Sequence, residues 1–199
     1  MLSHLFGLFS HPKDEWEIIR QEHGSIGKVF FSYILILAAI PPVCGYFGTT
    51  MFGWEFGARE AVKLSAESAL QIAIMYYLVI LVGIFSMGYM IHWMAQTYDA
   101  DQPLARCVTL AAFIATPMML IGVFTLLPIL WLNFLVGLPA LAYTVYLLYT
   151  GIPIMMEISE ERGFLFSSAV LAVGLVALVF LLAATAVLWG SGFAPQFID

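Results

Sequence analysis

Between Arg106 and Glu157 the chain reads CVTLAAFIATPMMLIGVFTLLPILWLNFLVGLPALAYTVYLLYTGIPIMM, 50 residues without a charged side chain. A charge at the centre of a bilayer costs at least about 2.5–3.5 kcal/mol, so charge-free runs measure how often a chain can cross one. A helix rises about 1.5 Å per residue, and about 20 residues cross a hydrocarbon core of roughly 30 Å. The run is too long for one crossing and fits two joined by a tight turn. Pro128, which lacks a backbone donor, places that turn around 126–131. The same length also fits a re-entrant pair that never fully crosses.

Shorter charge-free runs lie to either side: 26 residues between Lys28 and Glu55, 31 between Glu67 and Asp99, and 36 between Arg162 and Asp199. Each fits one span. The expectation is an all-α integral membrane bundle of five helices, at 29–47, 70–92, 106–125, 129–150 and 166–189. A tail over 1–28 would precede this 29–190 membrane domain, and a short one over 191–199 would follow. Composition agrees, with 62% hydrophobic and 10% charged residues against roughly 45–50% and about 25% in soluble domains. A water-soluble enzyme, a disordered chain and a nucleic-acid binder are excluded. Seven Lys plus Arg against 13 Asp plus Glu leave a net charge of −6, so no basic field attracts phosphates. Cys44 and Cys107 fall near opposite faces of the bilayer, too far apart to bridge.

Tryptophan and tyrosine favour the headgroup level. Trp54, Trp131 and Trp189 would mark one face, and Trp93, Tyr98 and Tyr149 the other. Lys13, Arg20, Lys28, Arg106 and Arg162 fall on one side against Arg59 and Lys63. The positive-inside rule therefore sets the N-terminus in the cytoplasm and the C-terminus outside. Leu2, Leu5, Phe6 and Phe9 share one helical face, an amphipathic segment expected to lie on the membrane. Pro12 opens a second short helix, Lys13 to His23, whose Trp16 and Ile19 would touch the lipid or the bundle. The external loop, 48–65, carries a helical pattern over 58–67.

Reactive constellations are scarce. Gly24-Ser-Ile-Gly27-Lys28 has two residues between its glycines where a phosphate loop needs four, and Val29 where it needs Ser or Thr. Asp99 and Asp101 read as a solvated turn before Pro103. With Glu157, Glu160 and Glu161 they form the only carboxylate cluster an enzyme acting on lipid could use. His4, His11, His23 and His92 are separated, and His92 sits at the inner end of span two, the residue to test if proton coupling exists. No nucleophile with a base is visible. No catalytic residue, metal ligand or cofactor site is expected.

The spans do contain proline: Pro41 and Pro42 in span one, Pro117 in span three and Pro139 in span four. Each frees a carbonyl and bends its helix, and in lipid the freed group needs an internal partner or a polar cavity. Asn133, Gln71, Thr109, Thr116, Thr144 and Ser86 are the nearby polar groups. Thr109, Thr116, Thr144 and Ser86 are placed to cap the broken backbone, and Pro41, Pro42, Pro117, Pro139, Asn133, Gln71 and His92 are the candidate lining of a cavity or hinge.

Several further pieces occur in order: Gly7-Leu-Phe-Ser-His-Pro12, Ala38-Ala-Ile-Pro41, Gly48-Thr-Thr50 with Gly53-Trp54-Glu-Phe-Gly57, Ala115-Thr-Pro117, and Tyr143-x-x-Tyr146-Leu-Leu-Tyr149-x-Gly151-Ile-Pro153. Together they resemble the Yip family, the Ypt/Rab-interacting membrane proteins, and specifically its bacterial YohC-type branch of small inner-membrane proteins. The resemblance implies five spans with a cytosolic N-terminus. It also implies Tyr146, Tyr149, Gly151 and Pro153 as motif residues. Eukaryotic members bind Rab-type GTPases and one another. Their long cytosolic region has no counterpart in this tail, which speaks against Rab binding here. Two functions remain. One is a non-enzymatic protein acting by association with itself or other membrane proteins. The other is a transporter or channel for a small solute, ion or lipid through a cavity between kinked helices. The bilayer is the only certain partner.

Overall fold

In the computed structural model, which describes residues 3–22, 25–54, 62–193 and 195–198, nearly all of the chain is helical. A short pair, α1 (His4–Ser10) and α2 (Pro12–Gln21), precedes the spans. Then come α3 (Ile26–Phe52), α4 (Ala66–Tyr98), the bent pair α5 (Leu104–Ile114) and α6 (Thr116–Leu126), α7 (Leu130–Met156) and α8 (Glu160–Gly192). Among the described residues four helices are long and apolar enough to cross a membrane, and the bent pair makes a fifth such span when taken as one. This is the all-α membrane bundle expected from the charge-free runs.

Local chemistry sets the helix ends. Pro12 takes the first turn of α2, with Asp14 and Glu15 beside the positive end of the helix dipole and Arg20 in the last turn. The Ser65 and Ser159 hydroxyls accept the backbone N–H of Ser68 and Arg162, capping α4 and α8. Asp99 and Glu157, both left-handed with φ of 57° and 58°, end α4 and α7. The helices overrun the expected spans at both ends, except α7, which overruns only at its C-terminal end. At 27 residues α7 is about 40 Å long, because nothing in its sequence stops it where the hydrocarbon stops.

A proline break falls where expected at Pro117, whereas α7 runs through Pro139 as one helix. α5 and α6 meet at 41°, at Thr116-Pro117. The Thr116 hydroxyl lies 3.1 Å from the Ala112 carbonyl and 2.6 Å from the buried Tyr33 hydroxyl, so the break is satisfied from within. In α3, π-helical turns at Phe30–Ile34 and Gly48–Phe52 flank Pro41-Pro42. Here α3 presses on α6: a Cβ added to Gly122 would lie 2.4 Å from the Pro41 ring.

Of the two surroundings open to Trp16 and Ile19, lipid or bundle, the structure gives the bundle, and one loop expectation changes. Leu8, Trp16 and Ile19 are buried in the bundle, so the inner face of the N-terminal pair meets protein and not lipid. The loop pattern over 58–67 is not one helix. Residues 55–61, with Glu55, Gly57 and Arg59, lie outside the described residues, as do Leu2, His23 and Gly24. Beyond them Lys63–Leu64 form strand β1, paired antiparallel with β2 (Phe197–Ile198), and Trp54 bridges Val62. The backbone of this stretch bonds to the C-terminal segment, and helix begins only at Ala66.

Candidate functional site: an apolar cavity opposite the N-terminal hairpin

The two ends of the bundle are built from different materials. At one end α1 and α2 form a hairpin against α5 and α7. Trp16 fills a slot over Gly151, where an added Cβ would stand 2.8 Å from the indole. Its ring meets Phe113 edge-on at 6.3 Å. The Tyr143 hydroxyl donates to the Leu8 carbonyl at 2.6 Å. His4, buried against Phe113, bonds Glu15 through Nδ1 and Glu22 through Nε2, the latter at 3.1 Å. Arg106 holds Glu157 at 2.7 Å and also bonds Gln102, whose amide caps the Met156 carbonyl at the end of α7. Arg162 pairs with Asp99 at 2.7 Å. The carboxylate cluster read from the sequence is therefore tied to arginines at two of its members, and no group of metal-ligating side chains occurs among the described residues.

At the other end, α3, α4, the α6–α7 connection and the C-terminal segment leave a cavity of about 530 Å³. α3 gives Pro42, Gly45, Tyr46 and Thr49, and α4 gives Ala69, Ile72, Ala73 and Tyr76, each set at helical spacing i, i+3, i+4, i+7. Trp54, Leu64, Trp189 and Phe197 form the rim, and none of the described lining residues is charged. The polar side chains in the wall turn to nearby backbone. Thr49 donates to the Gly45 carbonyl at 2.8 Å, and Thr125 to those of Gly122 at 2.6 Å and Pro41 at 3.2 Å. Asn133 donates to the Leu127 and Ile129 carbonyls at 3.0 and 2.9 Å. What faces the cavity is hydrocarbon and aromatic ring, a wall that offers dispersion contact and no solvation for an ion.

Of the candidate residues, Pro41, Pro42 and Asn133 meet at this cavity. Gln71 sits on α4 but is exposed, outside the wall. Pro117 is buried at the α5–α6 break, and Pro139 is exposed on α7. His92 lies at the far end, its Nδ1 donating to the Gln102 carbonyl at 2.9 Å; it braces a loop. Thr109 bonds its own helix, Thr144 bonds nothing among the described residues, and Ser86 is exposed. Tyr46, Tyr76 and Thr125 were missed. The spacing of small and aromatic residues on α4 could have found that wall, but in a helix apolar all round the stripe does not stand out. Trp54, Trp131 and Trp189 do gather at the cavity end, and Trp93, Tyr98 and Tyr149 toward the hairpin end.

Residues 6–181 match the family model described as the Yip1 domain. The chain belongs to the Yip1-domain family. It is 45% identical over 192 residues to inner membrane protein YohC of Escherichia coli strain K12, covering 96% of this chain and 98% of that protein. The same figures hold for YohC of the O6:H1 strain CFT073. No solved structure gave a significant match. The Yip1-domain match takes in the hairpin from Phe6 onward, and the structure shows what the motif residues do there. Gly151 seats Trp16, Pro153 packs on Gly163, Tyr149 bonds Ser168 at 2.9 Å, and the Tyr146 ring lies against Tyr143. They assemble the hairpin end and do not reach the cavity.

Proposed function

We propose that this Yip1-domain protein works without catalysis in the inner membrane, by associating through its helices with a second copy of itself or with other membrane proteins. One observation carries this reading. From Leu175 to Trp189 every large apolar side chain of α8 is exposed, Phe180 to 73%, so this half of the helix stands free of its own bundle. Ala183, Ala184, Ala186 and Gly190 on the same segment allow close backbone approach. Counting the bent pair as one span gives five crossings, which supports termini on opposite faces. Lys13, Arg20, Lys28, Arg106 and Arg162, all toward the hairpin end, support a cytosolic N-terminus and a periplasmic C-terminus. The engagement of Asp99 and Glu157 by arginines supports a non-enzymatic role.

The test is disulfide cross-linking in native membranes. Single cysteines would be placed at each position from 176 to 187 in a chain carrying Cys44→Ala and Cys107→Ala. Dimers recurring every third or fourth position support association between copies; no cross-link at any position overturns it. The cavity favours a second reading, movement of a small solute or lipid. Its uncharged wall weighs against an ion as the cargo.

A further inference from the structure

We propose that the cavity seats one acyl chain of a bilayer phospholipid, with the lipid phosphate at the rim beside Lys63. This deepens the second reading above and rests on its cavity, but it asks only for occupancy, not for movement. The argument begins with solvent. Every helix lining the cavity spans the membrane, so the molecules surrounding the bundle at that depth are lipid tails. The wall from Pro42 to Thr49 and from Ala69 to Tyr76 carries no charge, and Thr49, Thr125 and Asn133 donate to backbone carbonyls. A water held in such a place needs two to four polar partners, and an aqueous solute needs more. A hydrocarbon chain needs none.

Size agrees. Pockets that take a small ligand run from about 300 to 1,000 Å³, and the 530 Å³ of this cavity lies within that range. Charge agrees at the mouth. Leu64 lines the cavity and is buried, while Lys63, its neighbour in β1, is exposed. The Lys63 stem lies over Gly53, next to the rim residue Trp54. Lys63 takes part in no ion pair among the described residues. A cation over an uncharged pocket is the complement of a phosphate over a hydrocarbon tail.

The experiment uses the full chain in vesicles of phosphatidylethanolamine and phosphatidylglycerol doped with phosphatidylglycerol bearing a photoreactive diazirine in its acyl chain. Adducts are located by peptide mass spectrometry. Labelling is expected to concentrate on Tyr46 and Tyr76. Ala73→Phe, which fills the cavity, should cut it several-fold while adducts around Phe180 stay unchanged. Gly45→Val, which adds bulk where only Thr125 is near, serves as a second filling variant should the first not fold. Lys63→Gln should lower labelling by a smaller factor. Tyr46 and Tyr76 labelled no more than the lipid-facing side of α8, or labelling unmoved by both filling variants, overturns the proposal. So does equal labelling by photoreactive palmitate alone, which would assign the site to a free fatty acid. Rapid reaction of an Ala73→Cys variant with a water-soluble thiol reagent would show a hydrated cavity and overturn it too. Retained labelling with no movement of lipid between leaflets leaves this inference standing and removes the transport reading.

Discussion

At the hairpin end a set of large side chains is shut away: Trp16, Phe113, Leu147, Ile152 and Phe166 have no exposed surface, while Phe6, Trp93 and Phe164 on its outside stay exposed. At the cavity end chemically similar side chains stand in the open, with Trp131, Leu138, Phe180 and Trp189 all more than half exposed. The same solvent surrounds both. The difference lies in what each end has besides apolar residues. The hairpin end has four carboxylate pairings and a tryptophan fitted over a glycine. The cavity end has an open apolar pocket and a two-residue ribbon. Between membrane helices lipid competes for apolar contact as well as a neighbouring helix does, so tight association needs shape or polar bonds. The hairpin end has both. The cavity end has them only where α3 meets α6, at Gly122 against Pro41 and in the Thr125 bond to the Pro41 carbonyl, and its other faces stay available to lipid or to another chain.

Substitutions at matched positions can break this contrast. The largest loss is expected from Trp16→Ala, about 3–5 kcal/mol for removing a fully buried aromatic, read as hairpin release by limited proteolysis or by unfolding in mild detergent. Gly151→Val should release the hairpin in the same way, since its first added carbon already meets the indole; a docked hairpin in that variant would show that the slot does not hold it. Arg106→Met leaves Glu157 and the end of α7 without their partner and should cost about 1.5–3 kcal/mol in the same unfolding measurement. Arg162→Gln removes an exposed pair with Asp99 and should shift stability by about 0–1 kcal/mol. Trp131→Ala, the counterpart of the leading substitution at the open end, should stay within about 0.5 kcal/mol. Equal losses for Trp16→Ala and Trp131→Ala would abolish the contrast.

The sequence carried the fold because charge is so costly in lipid: the intervals Lys28 to Glu55 and Arg106 to Glu157 alone nearly count the helices, and Pro117 marks the bend. It carried less of the site. Pro41, Pro42 and Asn133 were legible because proline and amide are rare in spans. Gln71 and His92 have the same rarity but face outward or brace a loop, and residue type does not tell which way a helix is turned. Tyr46, Tyr76 and Ala73 were hidden because apolar residues surround them on every side of their helices. Trp16 was placed on the correct face of α2, but whether lipid or protein lay opposite depended on Gly151, 135 positions away in the chain.

The contrast between a closed and an open end is most directly tested by tryptophan fluorescence in vesicles whose acyl chains carry bromine, a contact quencher. Single-tryptophan chains would be made with the other four replaced by phenylalanine. Trp131 and Trp189 should be strongly quenched and Trp16 nearly untouched. Quenching of Trp16 as deep as that of Trp131 would contradict the account, because the indole would then be sitting in lipid and not over Gly151.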